Sequence, residues 1–389
     1  MRKTYKYRLY PSKTQEAKLL ATLEVCRILY NSCLVDRKNL YESTGKGLSR
    51  IQQQKILAAD KKRVPLLKDI HSQVLQDVLF RVERAYQGFF RRLAAKETKA
   101  GYPRFKSEGR YDSMTYPQEP GFKIEDNKLK LSKIGHLKIR MHRDIIGQVK
   151  TCTIRKDGTH WYACFSVAYE PEERNVPTHS IGIDVGLKSF ATLSDGTEIA
   201  SPKHLRKAEA RLKRSQRALS LKKKGGNNRK AAKQVVTNIH RKVRNQRLDF
   251  HHKEARKIVN AFGLIVAEDL KIRNMVRNRR LSKSISDAGW GGFLSLLASK
   301  AEEAGCRFEK VDPCNTSVNC SSCGEKVPKS LAVRTHRCPL CGLVMDRDHN
   351  AAINILQRAT AGTAESYAWG ESALSGRSTN QEASLLAAR

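Results

Sequence analysis

Negative charge is in short supply in this chain. Its 389 residues hold 38 Asp and Glu against 74 Lys and Arg, a net charge of +36. So large an imbalance speaks about partners rather than fold. It disfavours a basic partner and favours nucleic acid, where many Lys and Arg displace condensed counterions from phosphates. Aromatic side chains are also sparse, at 7%, although 40% hydrophobic residues suffice for packed cores. No apolar run approaches the roughly 20 residues of a membrane span, so no membrane partner is expected. Met1-Arg-Lys-Thr-Tyr-Lys-Tyr reads as a polar strand without the apolar centre of a secretory leader, and a cytoplasmic location is expected. Of the ten cysteines, four form CxxC pairs. Without a leader, such pairs point to metal and not to disulfides. The six scattered cysteines read as small buried hydrophobes.

The pattern along the chain changes several times. Tyr5-Lys-Tyr-Arg-Leu-Tyr10 alternates as a strand and stops at Pro11. Ser12-Lys-Thr-Gln15 is a capping box opening a helix to about Tyr41, with Leu19, Leu23, Cys26 and Tyr30 as its apolar stripe. Pro65 opens a second long helix to about Lys96, with Val74, Val78, Val82 and Phe89 inward. Short strands and turns follow from about Asp112 to Glu170, and the first strand is free to join their sheet, which predicts a small β-barrel interrupted by two helices. After a linker from Pro171 to Ser180, Ile181 to Ile199 reads as three strands. Residues 203–247 carry 17 Lys and Arg and a single acid, Glu209. Two apolar seams, Leu205/Ala208/Leu212/Leu219 and Ala232/Val235/Ile239/Val243/Phe250, flank Gly225-Gly-Asn-Asn228. This is a basic helical hairpin, whose charge calls for a polyanion. Leu264 to Glu268 is a buried strand, Phe293 to Ala304 a helix, Arg307 to Val311 a strand, and Asn350 to Arg358 a helix. Residues 361–389 have the composition of a disordered tail.

Two groups of residues carry chemistry. Cys320-Ser-Ser-Cys323 and Cys338-Pro-Leu-Cys341, fourteen residues apart, can close a tetrahedral zinc site. A glycine follows each pair, at Gly324 and Gly342, where a knuckle turn needs positive φ. Four thiolates leave no open position, so the zinc is structural. Separately, Asp184 and Glu268 each end an apolar strand and Asp348 begins a helix. Carboxylates converging from three elements can hold Mg²⁺, and a pair of such ions can drive phosphodiester hydrolysis. Each acid also has a bland reading: Asp184 as a turn residue, Glu268 as a loop acid, Asp348 as a helix cap. Their joint occurrence favours the metal site.

Ile181-Gly-Ile-Asp184-Val-Gly, Val266-Ala-Glu268-Asp-Leu, Asp312-Pro-Cys-Asn-Thr-Ser317, the two CxxCG knuckles and Asp346-Arg-Asp348-His-Asn-Ala-Ala together resemble TnpB, the RNA-guided nuclease of insertion-sequence transposons, a relative of the compact type V CRISPR effectors. Tyr7-Arg-Leu-Tyr-Pro11, Gly101-Tyr-Pro-Arg-Phe-Lys106 and Ala288-Gly-Trp-Gly291 resemble it too, so the likeness spans nearly the whole chain outside the tail. Cys314 departs from it, where a polar or basic residue is expected. The resemblance implies an α/β multidomain protein with an RNase H-like RuvC nuclease domain (176–312 and 346–360, with the basic hairpin at 201–255) and an inserted zinc ribbon (313–345). It further implies a wedge β-barrel (1–10 and 112–175) carrying a helical recognition lobe (11–111).

On this resemblance Asp184, Glu268 and Asp348 are the catalytic, Mg²⁺-binding acids, Asp346 matches no catalytic position, and Cys320, Cys323, Cys338 and Cys341 hold Zn²⁺. It implies a transposon-encoded guide RNA, double-stranded target DNA with a short adjacent motif, and a monomer on the RNA. A nuclease-inactive repressor of the same fold and a transposase are the alternatives. Ser72, Gln73 and Gln76 on the second helix, with Thr115, Tyr116 and Gln118, are the candidates for reading the adjacent motif. Lys222, Lys223 and Lys224 are those for gripping RNA.

Overall fold

The first strand of the chain pairs with strands that come much later in the sequence. A computed structural model describes residues 1–96, 100–171, 175–330 and 332–370, which divide into one unit of residues 1–170 and another from Pro171 onward. In the first unit β1 (Arg2–Tyr10) is followed by α1 (Lys13–Thr44), α2 (Arg50–Arg63), α3 (Pro65–Lys68) and α4 (Ser72–Ala94). Six strands come next: β2 (Ser113–Tyr116), β3 (Phe122–Glu125), β4 (Lys128–Leu131), β5 (Gly135–Arg140), β6 (Gln148–Asp157) and β7 (His160–Ala168). β1 is inserted between β7 and β5 in a seven-stranded antiparallel sheet of order β2-β6-β7-β1-β5-β4-β3. The expected joining of the first strand to the later sheet is therefore observed, although the hydrogen-bonded order leaves β2 and β3 as edges.

The Ser12–Gln15 capping box forms in full at the start of α1. The second expected helix is broken. Asp69 to His71 separate α3 from α4, because Leu67 and Ile70 turn into the same core as Val74, Leu75, Val78 and Leu79. Tyr86 is buried on this face, and Phe89 only half-buried. α2 was not foreseen, since only Gln53 and Leu57 of its residues are buried.

The second unit is built on a five-stranded sheet. It contains β8 (Ser180–Asp184), β9 (Ser189–Leu193), β10 (Glu198–Ala200), α5 (His204–Ser220), α6 (Asn227–Ala261), β11 (Leu264–Glu268), α7 (Ile272–Met275), α8 (Ser282–Ala288), α9 (Trp290–Glu303), β12 (Arg307–Val311), β13 (Thr335–Arg337), β14 (Val344–Asp346) and α10 (Arg347–Gly370). The strand order is β10-β9-β8-β11-β12, with β8, β11 and β12 parallel and β9 and β10 antiparallel additions. Side chains alternate across a strand. Ile181, Ile183, Ile265 and Ala267 accordingly face the core shared with Ile258, Phe293 and Leu297 of α6 and α9. Val266 faces the other way, against Ile355 and Ala359 of α10.

α5 and α6 form the expected basic hairpin, with Leu212, Ile239 and Val243 buried between them and Val235 left exposed. α6 continues to Ala261, past the expected end of the hairpin. α10 extends to Gly370, into the segment expected to be a tail, and residues 371–389 lie outside those described. Among the described residues no helix is long and apolar enough to cross a membrane.

Candidate active site

Register brings the first two acids together. β8 and β11 run parallel with Ala267 beside Ile183, so the next position of each strand, Glu268 and Asp184, is adjacent at about one inter-strand spacing of 4.8 Å. Alternation then puts both side chains on the face that carries Gly182 and Val266, which is the α10 face. Carboxyl ends of parallel strands are where α/β sheets commonly bind ligands.

Gly182 delivers the third acid. A Cβ there would lie 2.1 Å from the Ala352 carbonyl and 2.9 Å from the Leu356 amide, so only glycine lets α10 sit this close to β8. Asp348 is one helical turn before Ala352 and shares its face, which places it over the strand ends. Its Oδ2 lies 3.8 Å from where a Cβ on Gly186 would be, in the turn after Asp184.

The cap of α10 is Asp346. Its Oδ1 accepts the backbone N–H groups of Asp348 at 2.8 Å and His349 at 3.4 Å, and Lys188 Nζ lies 3.4 Å from Oδ2. Burial opposes ionisation of Asp346, but these contacts outweigh it and hold its pKa below the usual value. Asp348 is thus relieved of the capping role that was its bland reading, and its carboxylate instead lies 3.6 Å from Arg334 Nη1.

Burial, and after it the charges of Glu268 and Asp348, push the Asp184 carboxyl up to about 8. Glu268 is 8% exposed. Burial raises its pKa, against a lowering hydrogen bond from Thr316, whose Oγ1 donates to Oε1 at 2.5 Å. An Asp184 carboxyl raised by burial and by the charges of Glu268 and Asp348 suits a site completed by a hard cation with oxygen ligands.

The ribbon sits beside this site. Cys320 Sγ lies 3.6 Å from Cys341 Sγ, and Cys323 Sγ 3.5 Å from Cys338 Sγ. All four sulfurs fall within 4.8 Å of one another, and among the described residues no other group of three or more potential ligands does so. A zinc tetrahedron with Zn–S of about 2.3 Å has edges of about 3.8 Å, so the four thiolates fit the ion. Gly324 and Gly342 have φ of 78° and 73°, as a knuckle requires.

A family profile described as "Probable transposase" matches residues 164–279, one described as "Cas12f1-like, TNB domain" matches 290–355, and one described as "Helix-turn-helix domain" matches 1–46. Residues 1–46 here form β1 and the single helix α1. A protein of Streptomyces pristinaespiralis named "Putative RNA-guided DNA endonuclease" is 34% identical over 94% of this chain and 91% of its own length. The chain belongs to the TnpB family. An Escherichia coli K12 relative carrying the same designation, InsQ, is 33% identical over 97% of this TnpB chain and 96% of its own. Among solved structures, Cas12f1 in its complex with guide RNA and target DNA superposes with a TM-score of 0.58 at 13% identity, covering 91% of this chain and 98% of that one. TnpB here thus shares the mixed α/β fold of a compact Cas12 effector.

The remaining candidate residues of this TnpB scatter. Lys222, Lys223 and Lys224 are exposed at the hairpin turn. Gln76 and Gln118 are exposed, and Ser72 is held by Lys61 Nζ at 2.5 Å. Gln73 is half-buried, and its Oε1 has no hydrogen-bond partner among the described residues. Thr115 Oγ1 accepts from Arg81 Nη2 at 2.9 Å. Tyr116 is corrected: at 1% exposure it belongs to the core, against His71. Alternation along β2, which buries Met114 and Tyr116 together, was the signal for this. Thr316 and Arg334 were missed, because a threonine and an arginine far from the acids in sequence look like ordinary turn and surface residues.

Proposed function

We propose that this TnpB is an RNA-guided DNA endonuclease that hydrolyses target DNA with Mg²⁺ held by Asp184, Glu268 and Asp348. The observation that carries the reading is their convergence at the carboxyl ends of two adjacent parallel strands, from three separate elements. On this reading the five-stranded sheet with α10 is the RuvC nuclease domain, in RNase H-like strand order. The seven-stranded sheet is the wedge, and α1 to α4 form the recognition lobe. The four cysteines hold a structural zinc. Asp184, Glu268 and Asp348 would hold Mg²⁺, which would supply the positive charge that phosphodiester hydrolysis requires.

The protein's own groups do the rest. Glu268 is buried and Asp184 and Asp348 are half-buried, which strengthens their hold on a cation. Lys188 and Arg334 place positive charge at the rim, beside Asp346 and Asp348, where a DNA phosphate would approach. The hairpin presents Lys222–Lys224 to guide RNA or to the guide–target heteroduplex, recognised by backbone shape while base pairing reads sequence. Ser72, Gln73, Gln76, Thr115 and Gln118 remain the candidates for reading a target-adjacent motif.

Alanine at Asp184, Glu268 or Asp348 is expected to abolish cleavage by the protein–guide RNA complex while RNA and target binding persist, because those contacts are spread over many phosphates. A variant that cleaves at the wild-type rate removes that residue from the site.

A further inference from the structure

We infer that Thr316 is a positioning residue for Glu268, and that through it the cysteine ribbon sets the geometry of the metal-binding acids. The inference rests on the reading of Glu268 as a Mg²⁺ ligand and adds to it a residue outside the triad.

Glu268 and Thr316 are 8% and 3% exposed. A buried carboxylate needs donors to fix its rotamer, and the Thr316 hydroxyl supplies one at 2.5 Å from Oε1. The alternative acceptor for that proton, the Pro313 carbonyl, is farther away at 3.2 Å. With Oε1 engaged, the other carboxylate oxygen is the one left for a cation.

Thr316 is itself held by the ribbon and by α10. Asn354, 7% exposed, donates through Nδ2 to the carbonyls of Thr316 and Asn319, both at 2.8 Å. Asn319 immediately precedes Cys320. Asn350, fully buried, accepts from the Ser321 backbone N–H at 2.9 Å inside the same knuckle and donates to the Asn319 carbonyl at 2.8 Å. Gln357 donates to the Ser321 carbonyl at 3.0 Å. Arg358 reaches the Asp312 and Cys314 carbonyls, both at 2.5 Å, at the other end of the loop.

The loop from Asp312 to Asn319 is therefore tied at both ends to the helix that carries Asp348. Its only buried side chain, among the described residues, points at Glu268. A loop residue serving packing alone would have no need to direct its hydroxyl to a buried carboxylate. Partners of this kind orient ligands, and their loss costs about 10- to 100-fold in metal affinity or activity.

The test compares Thr316→Val, Thr316→Ser and Glu268→Gln in the protein–guide RNA complex. Two quantities are measured: Mn²⁺ affinity by electron paramagnetic resonance, and the Mg²⁺ concentration needed for half-maximal cleavage. Thr316→Val, which keeps the shape and removes the hydroxyl, should weaken Mn²⁺ binding about ten-fold and raise the Mg²⁺ requirement in step. Thr316→Ser, which restores the hydroxyl, should return both towards wild type. Zinc content and RNA affinity should not change in either. Should Thr316→Val lose zinc or RNA, Thr316→Ala, which adds no bulk, carries the same comparison.

If Thr316→Val binds Mn²⁺ like wild type while Glu268→Gln binds it weakly, the inference falls and the triad reading stands. A serine variant as weak as the valine variant overturns it as well. If Glu268→Gln binds Mn²⁺ and cleaves like wild type, the triad reading has failed, and the inference with it.

Discussion

Asp346 and Asp348 are two residues apart and face opposite fates. Asp346 spends its charge on the first backbone N–H groups of α10, an arrangement that keeps it ionised. Asp348, relieved of capping, stands with Glu268 beside Asp184. Burial first, and then those two charges, hold the Asp184 carboxyl at about 8. A raised folded pKa means the unfolded chain ionises first, near 3.9. Between there and about 8 the folded protein holds the extra proton, so Asp184 costs stability increasingly as pH rises through that window. Without added Mg²⁺, Asp184→Asn should therefore raise Tm, by a small margin at pH 5 and a larger one at pH 8. Thermal melts at the two pH values measure the difference, and an equal gain at both would show that Asp184 is not a suppressed acid.

At the scale of elements, α10 does three things with one sequence. Ala352, Ile355 and Ala359 press on the sheet, Asn350, Asn354, Gln357 and Arg358 hold the ribbon and its loop, and Asp348 completes the acids. The absent side chain of Gly182 permits the close approach of Ala352 and Leu356. Gly182→Ala would drive a methyl group into the Ala352 carbonyl. Such overpacking costs about 1–3 kcal/mol, and a backbone obstacle puts this case at the upper end or beyond. Tm should fall and cleavage should drop sharply as Asp348 moves off the strand ends, while zinc stays bound. A wild-type melting temperature for this variant would mean that α10 does not lie against β8 at this point.

For the whole molecule the governing number is the net charge of +36. Its densest part is the hairpin, where the exposed turn carries three consecutive lysines. Phosphate contacts position a nucleic acid without reading its sequence. Replacing Lys222, Lys223 and Lys224 together with Gln should weaken guide RNA binding and flatten its salt dependence, by roughly one unit of slope per lost contact. The preferred target-adjacent motif should stay the same. Binding isotherms from low to high salt, wild type beside variant, decide this, and an unchanged slope would place the RNA elsewhere.

Period-two and helical patterns, cap signals and cysteine spacing determined most of the elements, because each depends on residues close together in the chain. The Ser12 cap, the insertion-prone first strand, the hairpin and both knuckles with their positive-φ glycines were legible in this way. The three acids were legible as candidates, since each ends or begins an element. The break at Asp69–His71 was not, because no glycine or proline marks it and the apolar residues on both sides serve one core. Neither was α2, whose buried stripe is only two residues wide. Tertiary structure alone decided the rest: that Glu268 lies beside Asp184 in register, that Asp348 comes over the strand ends at Gly182, and that Thr316 reaches Glu268 far away in sequence. Those facts depend on which strands pair and how closely a helix can approach a glycine, and no local pattern records either.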